Sequence, residues 1–322
     1  MLLVHQKVKL RILISQVLAV IPFLIFIFVL FDLWYDTRRT LILEQNLSNS
    51  RLLGNYLTNS INHSIGIAKS LSDPEIFGIL DNTNPSDKSR MKSIFKTIQE
   101  NQHEVDSVSL FSPGGALIES SYEYPVSKSN SNIADRDYFQ KAITTKKPAV
   151  STAIFGKLSG NYIVAVASPI VINNQIEGVI LVNINLENIK RNFEAAYSST
   201  DPRRTLIIDK DGNIVLELYH GMFSDDQKSI LKDNTHITQA LKGESSVIDN
   251  EKLPISGKTM LGFTVPVEVN GDYWTIMSID SAEDIYLPII RIQSFLWLLI
   301  LISVVFVLTV VSYFLRKIKI IY

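Results

Sequence analysis

The chain has 322 residues, a formal net charge of −1, 46% hydrophobic residues and no cysteine. Without cysteine, a disulfide scaffold, a thiolate nucleophile and a thiolate metal site are all excluded. A near-neutral balance, with no basic stripe interleaved with aromatics, argues against a nucleic-acid partner.

Apolar residues gather at the two ends. Residues 1–11 form a short basic N-terminus carrying Lys7, Lys9 and Arg11. The apolar stretch that follows predicts a first transmembrane helix over residues 12–35, whose centre, residues 17–31, runs fifteen residues without a polar side chain. A second stretch, residues 295–315, holds twenty-one residues and no charge, and predicts a second transmembrane helix over 294–315. About 20 apolar residues cross a hydrocarbon core of about 30 Å. Trp34, Tyr35, Trp297 and Tyr313 lie near the ends of the two runs, where aromatic rings favour the headgroup layer. The first run exceeds the roughly 7–15 apolar residues of a signal peptide and no small-residue cleavage site follows it, so it reads as an uncleaved anchor. Basic residues on the terminal side of each run put both ends in the cytoplasm and residues 36–293 outside it. Only the short tail 316–322 follows the second run, too little to fold or catalyse.

The loop opens with a long helix over residues 36–72. Leu43, Leu47, Leu53, Leu57, Ile61, Ile65, Ala68 and Leu71 recur at helical spacing, with no proline before Asp73-Pro74. This stripe either packs on the domain beside it or joins a second copy as a stalk. After a polar break at 81–88 and a short helix at 90–101, the period changes to two. Strands at 105–111 and 116–120 form a hairpin around Ser-Pro-Gly-Gly. A helix at 137–144 and strands at 149–155, 162–172 and 176–184 follow, the last two joined at Asn173-Asn174. Residues 190–204 separate this half from a second with the same order. That half has a hairpin at 205–209 and 213–218, a helical stretch at 225–242, and strands at 246–250, 258–269 and 273–280. Asn270-Gly271 between the last two is a strong hairpin signal. The fold class expected is α+β: a long N-terminal helix and two tandem antiparallel-sheet units, at 90–190 and 203–282, flanked by two transmembrane helices.

The stretch Asp135-Arg-Asp-Tyr-Phe-Gln-Lys-Ala142, then Pro148-Ala-Val-Ser151, Ala165-Val-Ala-Ser-Pro-Ile170 and Glu177-Gly-Val-Ile180 resembles the double Cache family. The resemblance implies tandem PAS-like units, membrane-distal and membrane-proximal, in the extracytoplasmic sensor of a bacterial receptor in the inner (cytoplasmic) membrane. It also implies a ligand pocket in the distal unit. In amino-acid-binding members an arginine there takes the ligand carboxylate through paired hydrogen bonds, and Arg136 matches it. Tyr138 and Phe139 fall on the aromatic positions where that motif has Trp and Tyr. Ser131 stands where the motif has a tyrosine, and Asn183 where it has the aspartate that takes the ammonium group. With a neutral residue at that last position, a small polar metabolite, or a carboxylate without an ammonium, is the expected ligand. The alternative is that Arg136 is structural, paired to a neighbouring acid.

Other motifs carry no chemistry. Residues 209–213 fail as an EF-hand loop, since positions six and twelve hold Ile214 and His220. The five histidines show no metal-ligand spacing, and His103 and His236 read as solvent-facing. No catalytic motif and no cofactor or metal site is expected. The partners expected are a small-molecule ligand, the membrane, a second copy of the chain, and a cytoplasmic effector that is separate or follows in a longer protein. A membrane-anchored scaffold whose domain binds another protein is the competing function.

Overall fold

The structure, a computed structural model, describes residues 2–79, 85–122, 132–156, 159–196, 204–218, 229–255 and 257–318. It divides into two compact units: residues 46–280, and residues 1–45 together with 281–322. Helix α1 (Leu2–Leu71) contributes to both, and α7 (Ala282–Ile318) belongs to the terminal unit.

In the central unit, α2 (Pro74–Ile79) and α3 (Pro85–Asn101) follow α1. Helix α3 starts earlier than the residue pattern suggests because Pro85 occupies its first position, where a missing N–H costs nothing. Strands β1 (Val105–Phe111) and β2 (Leu117–Ser120), helix α4 (Asp137–Thr145), and strands β3 (Ala149–Phe155), β4 (Tyr162–Ile172) and β5 (Gln175–Asn185) build the first sheet, in the order β2-β1-β5-β4-β3. Helix α5 (Leu186–Ala196) follows β5 directly and runs on into residues 190–204, which the sequence suggests are a separator. Strands β6 (Arg204–Ile208) and β7 (Ile214–Leu218), helix α6 (Thr235–Ala240), and strands β8 (Ser246–Lys252), β9 (Thr259–Val269) and β10 (Asp272–Ser281) build the second sheet, in the matching order β7-β6-β10-β9-β8.

The duplication is visible in the turns. Asn173 and Asn174 have φ of 49° and 63°, and Asn270 and Gly271 have 52° and 88°. Two successive positive φ values give the tight turn whose twist suits a hairpin, and Asn and Gly tolerate it best. The β6–β7 turn is of another kind: Asp209 Oδ1 accepts from the backbone N–H of Asp211 and Asn213, both at 3.0 Å. It is a local turn in which the carboxylate is already engaged.

Each sheet is covered on both faces, which is why all seven residues of β1 are buried. One core joins Leu53, Leu57 and Ile61 of α1 to Phe95 of α3, Val164 and Val182 of the first sheet, and Ile207, Val267 and Trp274 of the second. Gly54 lets α1 approach β9 closely, since a Cβ there would lie 2.7 Å from Val267 Cγ2. A second core lies between α4 and the first sheet (Tyr138, Phe139, Ala149, Ala165, Ala167, Leu181). A third lies between α6 and the second sheet (Leu206, Ile237, Met260, Met277, Ile279). Asn46 of α1 is fully buried and donates Nδ2 to Asp280 Oδ2 at 2.9 Å, tying the long helix to the end of β10.

In the terminal unit, Tyr35 and Tyr286 stack with centroids 4.8 Å apart. Apolar side chains stand exposed on both helices, with Phe28 at 63% and Phe295 at 61%. Among the described residues no helix is long and apolar enough to cross a membrane. Side chains are described for half of residues 12–35, beginning at Pro22, and for fourteen of the twenty-two residues 294–315.

Candidate functional site

Helix α4 carries the residues that the sequence singles out. Arg136 is its N-cap in an extended conformation (φ −87°, ψ 130°), and its side chain makes no capping bond. The next turn places Tyr138 and Phe139 under the helix, both buried. Across from them, the α4-facing side of the sheet bears small residues, Ala149, Ala165 and Ala167.

Between helix and sheet lies a cavity of about 20 Å³, lined by Arg136, Tyr138 and Asn183 among others. That is room for about one water, so any larger occupant must displace a wall. The structure brings three predicted residues together here. Phe139 sits instead in the core of the same layer, 1% exposed, and Ser131 lies outside the described residues. Sequence reasoning missed the opposite wall, formed by Phe155, Gly156 and Ser159 at the end of β3 and by Ile163 of β4. Phe155 is 56% exposed and packs edge-on against Tyr162. An exposed aromatic ending a strand was the available signal.

The polar groups are under-satisfied. The Arg136 side chain, half-buried, has no hydrogen-bonding or ionic partner among the described residues. The Tyr138 hydroxyl is pushed up to about 12 by burial, with Asp135 adding and Arg136 opposing. Asn183 donates Nδ2 to Ser107 Oγ at 2.9 Å, while its buried Oδ1 has no partner. Natural proteins rarely leave such groups unmatched, because each costs about 1–3 kcal/mol. An unpaired guanidinium and an unpaired amide oxygen in one cavity can together engage a small molecule with both acceptors and donors.

A larger open cleft, about 330 Å³, lies between β3–β4 and the β6–β7 turn and is lined by Thr152, Tyr162, Asp209 and Asn213. Burial pushes the Asp209 carboxyl up, and its Oδ1 is occupied by the turn. Histidine 236 is not solvent-facing as expected. Its side chain is 12% exposed, with Nε2 3.0 Å from Glu251 and Nδ1 2.9 Å from Ser246 Oγ, a link from α6 to β8.

Two tandem five-stranded units on a shared long helix, with a cavity under the helix of the first, define a tandem sensor fold. Residues 35–289 match the Cache domain family in its double form, and the chain belongs to that family of extracytoplasmic, ligand-binding sensor domains. The fold is similar to the ligand-binding domain of the Pseudomonas fluorescens chemoreceptor CtaA in complex with L-isoleucine (13% identity, TM-score 0.53, covering 79% of this chain and 97% of that one). It is similar to that of the Campylobacter jejuni chemoreceptor Tlp3 in complex with L-valine (15%, 0.52, 78% and 96%). It also resembles the sensor domain of the V. cholerae histidine kinase DctB (18%, 0.53, 75% and 98%). At these identities the likeness is one of fold. No curated protein matches the chain.

Proposed function

We propose that this chain is the sensing part of a membrane receptor, and that the cavity under α4 takes a small carboxylate-bearing metabolite. The observation that carries this reading is the Arg136 guanidinium, without a partner among the described residues, lining a cavity that also holds the unmatched Asn183 oxygen. The half-buried guanidinium is placed to take a ligand carboxylate through two parallel charge-assisted bonds.

Two spans would hold the domain outside the membrane. The reading is supported by the uncharged run 295–315 within α7 and by the exposed apolar side chains around both terminal helices. In water such surfaces are unfavourable; in lipid they are not. Pro22 inside α1 fits the same reading, since membrane helices tolerate proline. Ligand binding would close the cavity walls, and the receptor would pass the change on to the second span. The shift can be no larger than the ligand's differential affinity for the two states. A homodimer and a cytoplasmic effector would complete the receptor.

The test is a melting-shift panel of organic acids, amines and amino acids on the full chain in detergent micelles. A carboxylate compound should stabilise the native chain and leave Arg136→Ala unshifted. Stabilisation by no class, or equal stabilisation of the variant, would overturn the reading.

A further inference from the structure

The open cleft of about 330 Å³ falls in the size range of sites that take small molecules. A bulge builds its first wall. Strand β3 is an edge of the first sheet, and it pairs with β4 at Val150↔Val166 and at Ala153↔Val164. Ser151 and Thr152 therefore oppose Ala165 alone, and in such a two-against-one arrangement a side chain is re-aimed. Ser151 turns into the ladder: its Oγ accepts from the Ala165 N–H at 2.8 Å and donates to the Thr152 carbonyl. Thr152, half-buried, lines the cleft with Ala153 and with Tyr162 of β4. The second wall is the β6–β7 turn and the start of β7, with Asp209, Asn213, Ile214 and Val215. Exposed Ser229 adds to the lining.

The chemistry of these walls selects the occupant. Thr152, Tyr162 and Ser229 offer hydroxyls and Asn213 an amide, neutral groups that both donate and accept. No lysine, arginine or histidine is among the described lining residues, so an anion finds no counter-charge there. Lys210, next in the turn, is engaged with Asp272 at 3.4 Å. Asp209 is 2% exposed and pairs with no cationic side chain among the described residues. Its Oδ1 already accepts two backbone N–H groups, and burial pushes the carboxyl up. It repels an anion, and its surroundings disfavour the charge that would hold a cation. Ala153, Ile214, Val215 and the Tyr162 ring supply apolar surface. Such walls match a molecule with several hydroxyls on a carbon ring, whose hydroxyls donate and accept while its C–H faces stay apolar.

We propose that this cleft is a second binding site, for an uncharged sugar, whose hydroxyls tie β3 to the β6–β7 turn. It is separate from the cavity under α4 and does not rest on the function proposed above. The two share a strand: Thr152 and Ala153 of β3 line the cleft, and Ile154 and Phe155 line the cavity. Phe155 also packs edge-on against Tyr162, with centroids 5.6 Å apart.

The test is calorimetric titration of the full chain, in a detergent that contains no sugar and at mildly acidic pH, where amino sugars are protonated. D-glucose is set beside D-glucuronate and D-glucosamine, and D-galactose beside D-galacturonate and D-galactosamine. In at least one set the neutral sugar should bind about tenfold or more tightly than either charged relative, since a charge without a partner costs at least that much. Thr152→Val keeps the side-chain shape and removes the hydroxyl, and should weaken that sugar about 3- to 10-fold. Ser229→Trp fills the cleft from an exposed position and should abolish binding. Binding by no neutral sugar overturns the inference and leaves the proposed function standing. A charged relative that binds as well as its neutral partner overturns it too. A sugar whose affinity neither variant changes is bound elsewhere, with the same consequence. If Thr152→Val does not fold, undiminished binding in Ser229→Trp is enough to overturn the site.

Discussion

The two sheets of the central unit share one strand order and one covering scheme, yet their helix-covered faces are filled differently. Under α6 the second sheet presents Ile248, Met260, Met277 and Ile279, large side chains that close the layer. Under α4 the first sheet presents Ala149, Ala165 and Ala167 beside Phe111, Val179 and Leu181, and a cavity remains. Two residues before the end of β5 stands Asn183, with an unmatched oxygen; two before the end of β10 stands the apolar Ile279. Topology therefore does not make the site. The cavity is walled by Phe111, Leu181 and Asn183 of the sheet and by Arg136 and Tyr138 at the start of the helix, whereas large apolar side chains close the corresponding layer of the second unit.

That contrast can be broken most severely at the filled face. Met277→Ala should cost about 2–5 kcal/mol, the usual range for a buried Met, read by chemical denaturation. Arg136→Ala should do the reverse. With no partner among the described residues to lose, its melting temperature should hold, while affinity for a carboxylate probe drops about 100-fold, a loss near the upper end for a charged hydrogen bond. Ala165 pairs directly with Asn183, so Ala165→Leu should convert the first face toward the second. It should cost about 1–3 kcal/mol from overpacking and abolish probe binding in titration calorimetry. Asn234 caps α6 by accepting from the N–H of His236 and Ile237, and Asn234→Ala should cost about 1 kcal/mol without touching binding.

The smallest effect is in pH dependence at the cleft beside the second sheet. Burial raises the Asp209 carboxyl above its ordinary 3.8, so the folded state prefers the protonated form. The stability from that preference is complete below 3.8 and is lost as pH rises through the folded value. Asp209→Asn keeps the acceptor for Asp211 and Asn213 but carries no charge to bury. It should melt higher than the native chain at neutral pH, with the gain vanishing toward pH 3.8.

Much of this architecture was legible in the residues. The period-two strands, the Asn173-Asn174 and Asn270-Gly271 turns and the leucine stripe of α1 each follow from local backbone chemistry, and together they predicted the duplication. Helix α5 was not legible as such, because its apolar positions Leu186, Ile189 and Phe193 lie among polar residues that read equally well as a linker. Arg136 and Asn183 were found through the family motif. His236 was misplaced because its partners Ser246 and Glu251 are brought to it by β8.

The central claim is that the first unit senses and the second does not. Hydrogen exchange on the full chain, with and without whichever probe gives the largest melting shift, tests it directly. Slowed exchange should be confined to α4, the end of β3 and the last residues of β5, with α6 and β8 unchanged. Protection centred on α6 and β8, or none anywhere at saturating probe, would contradict the account.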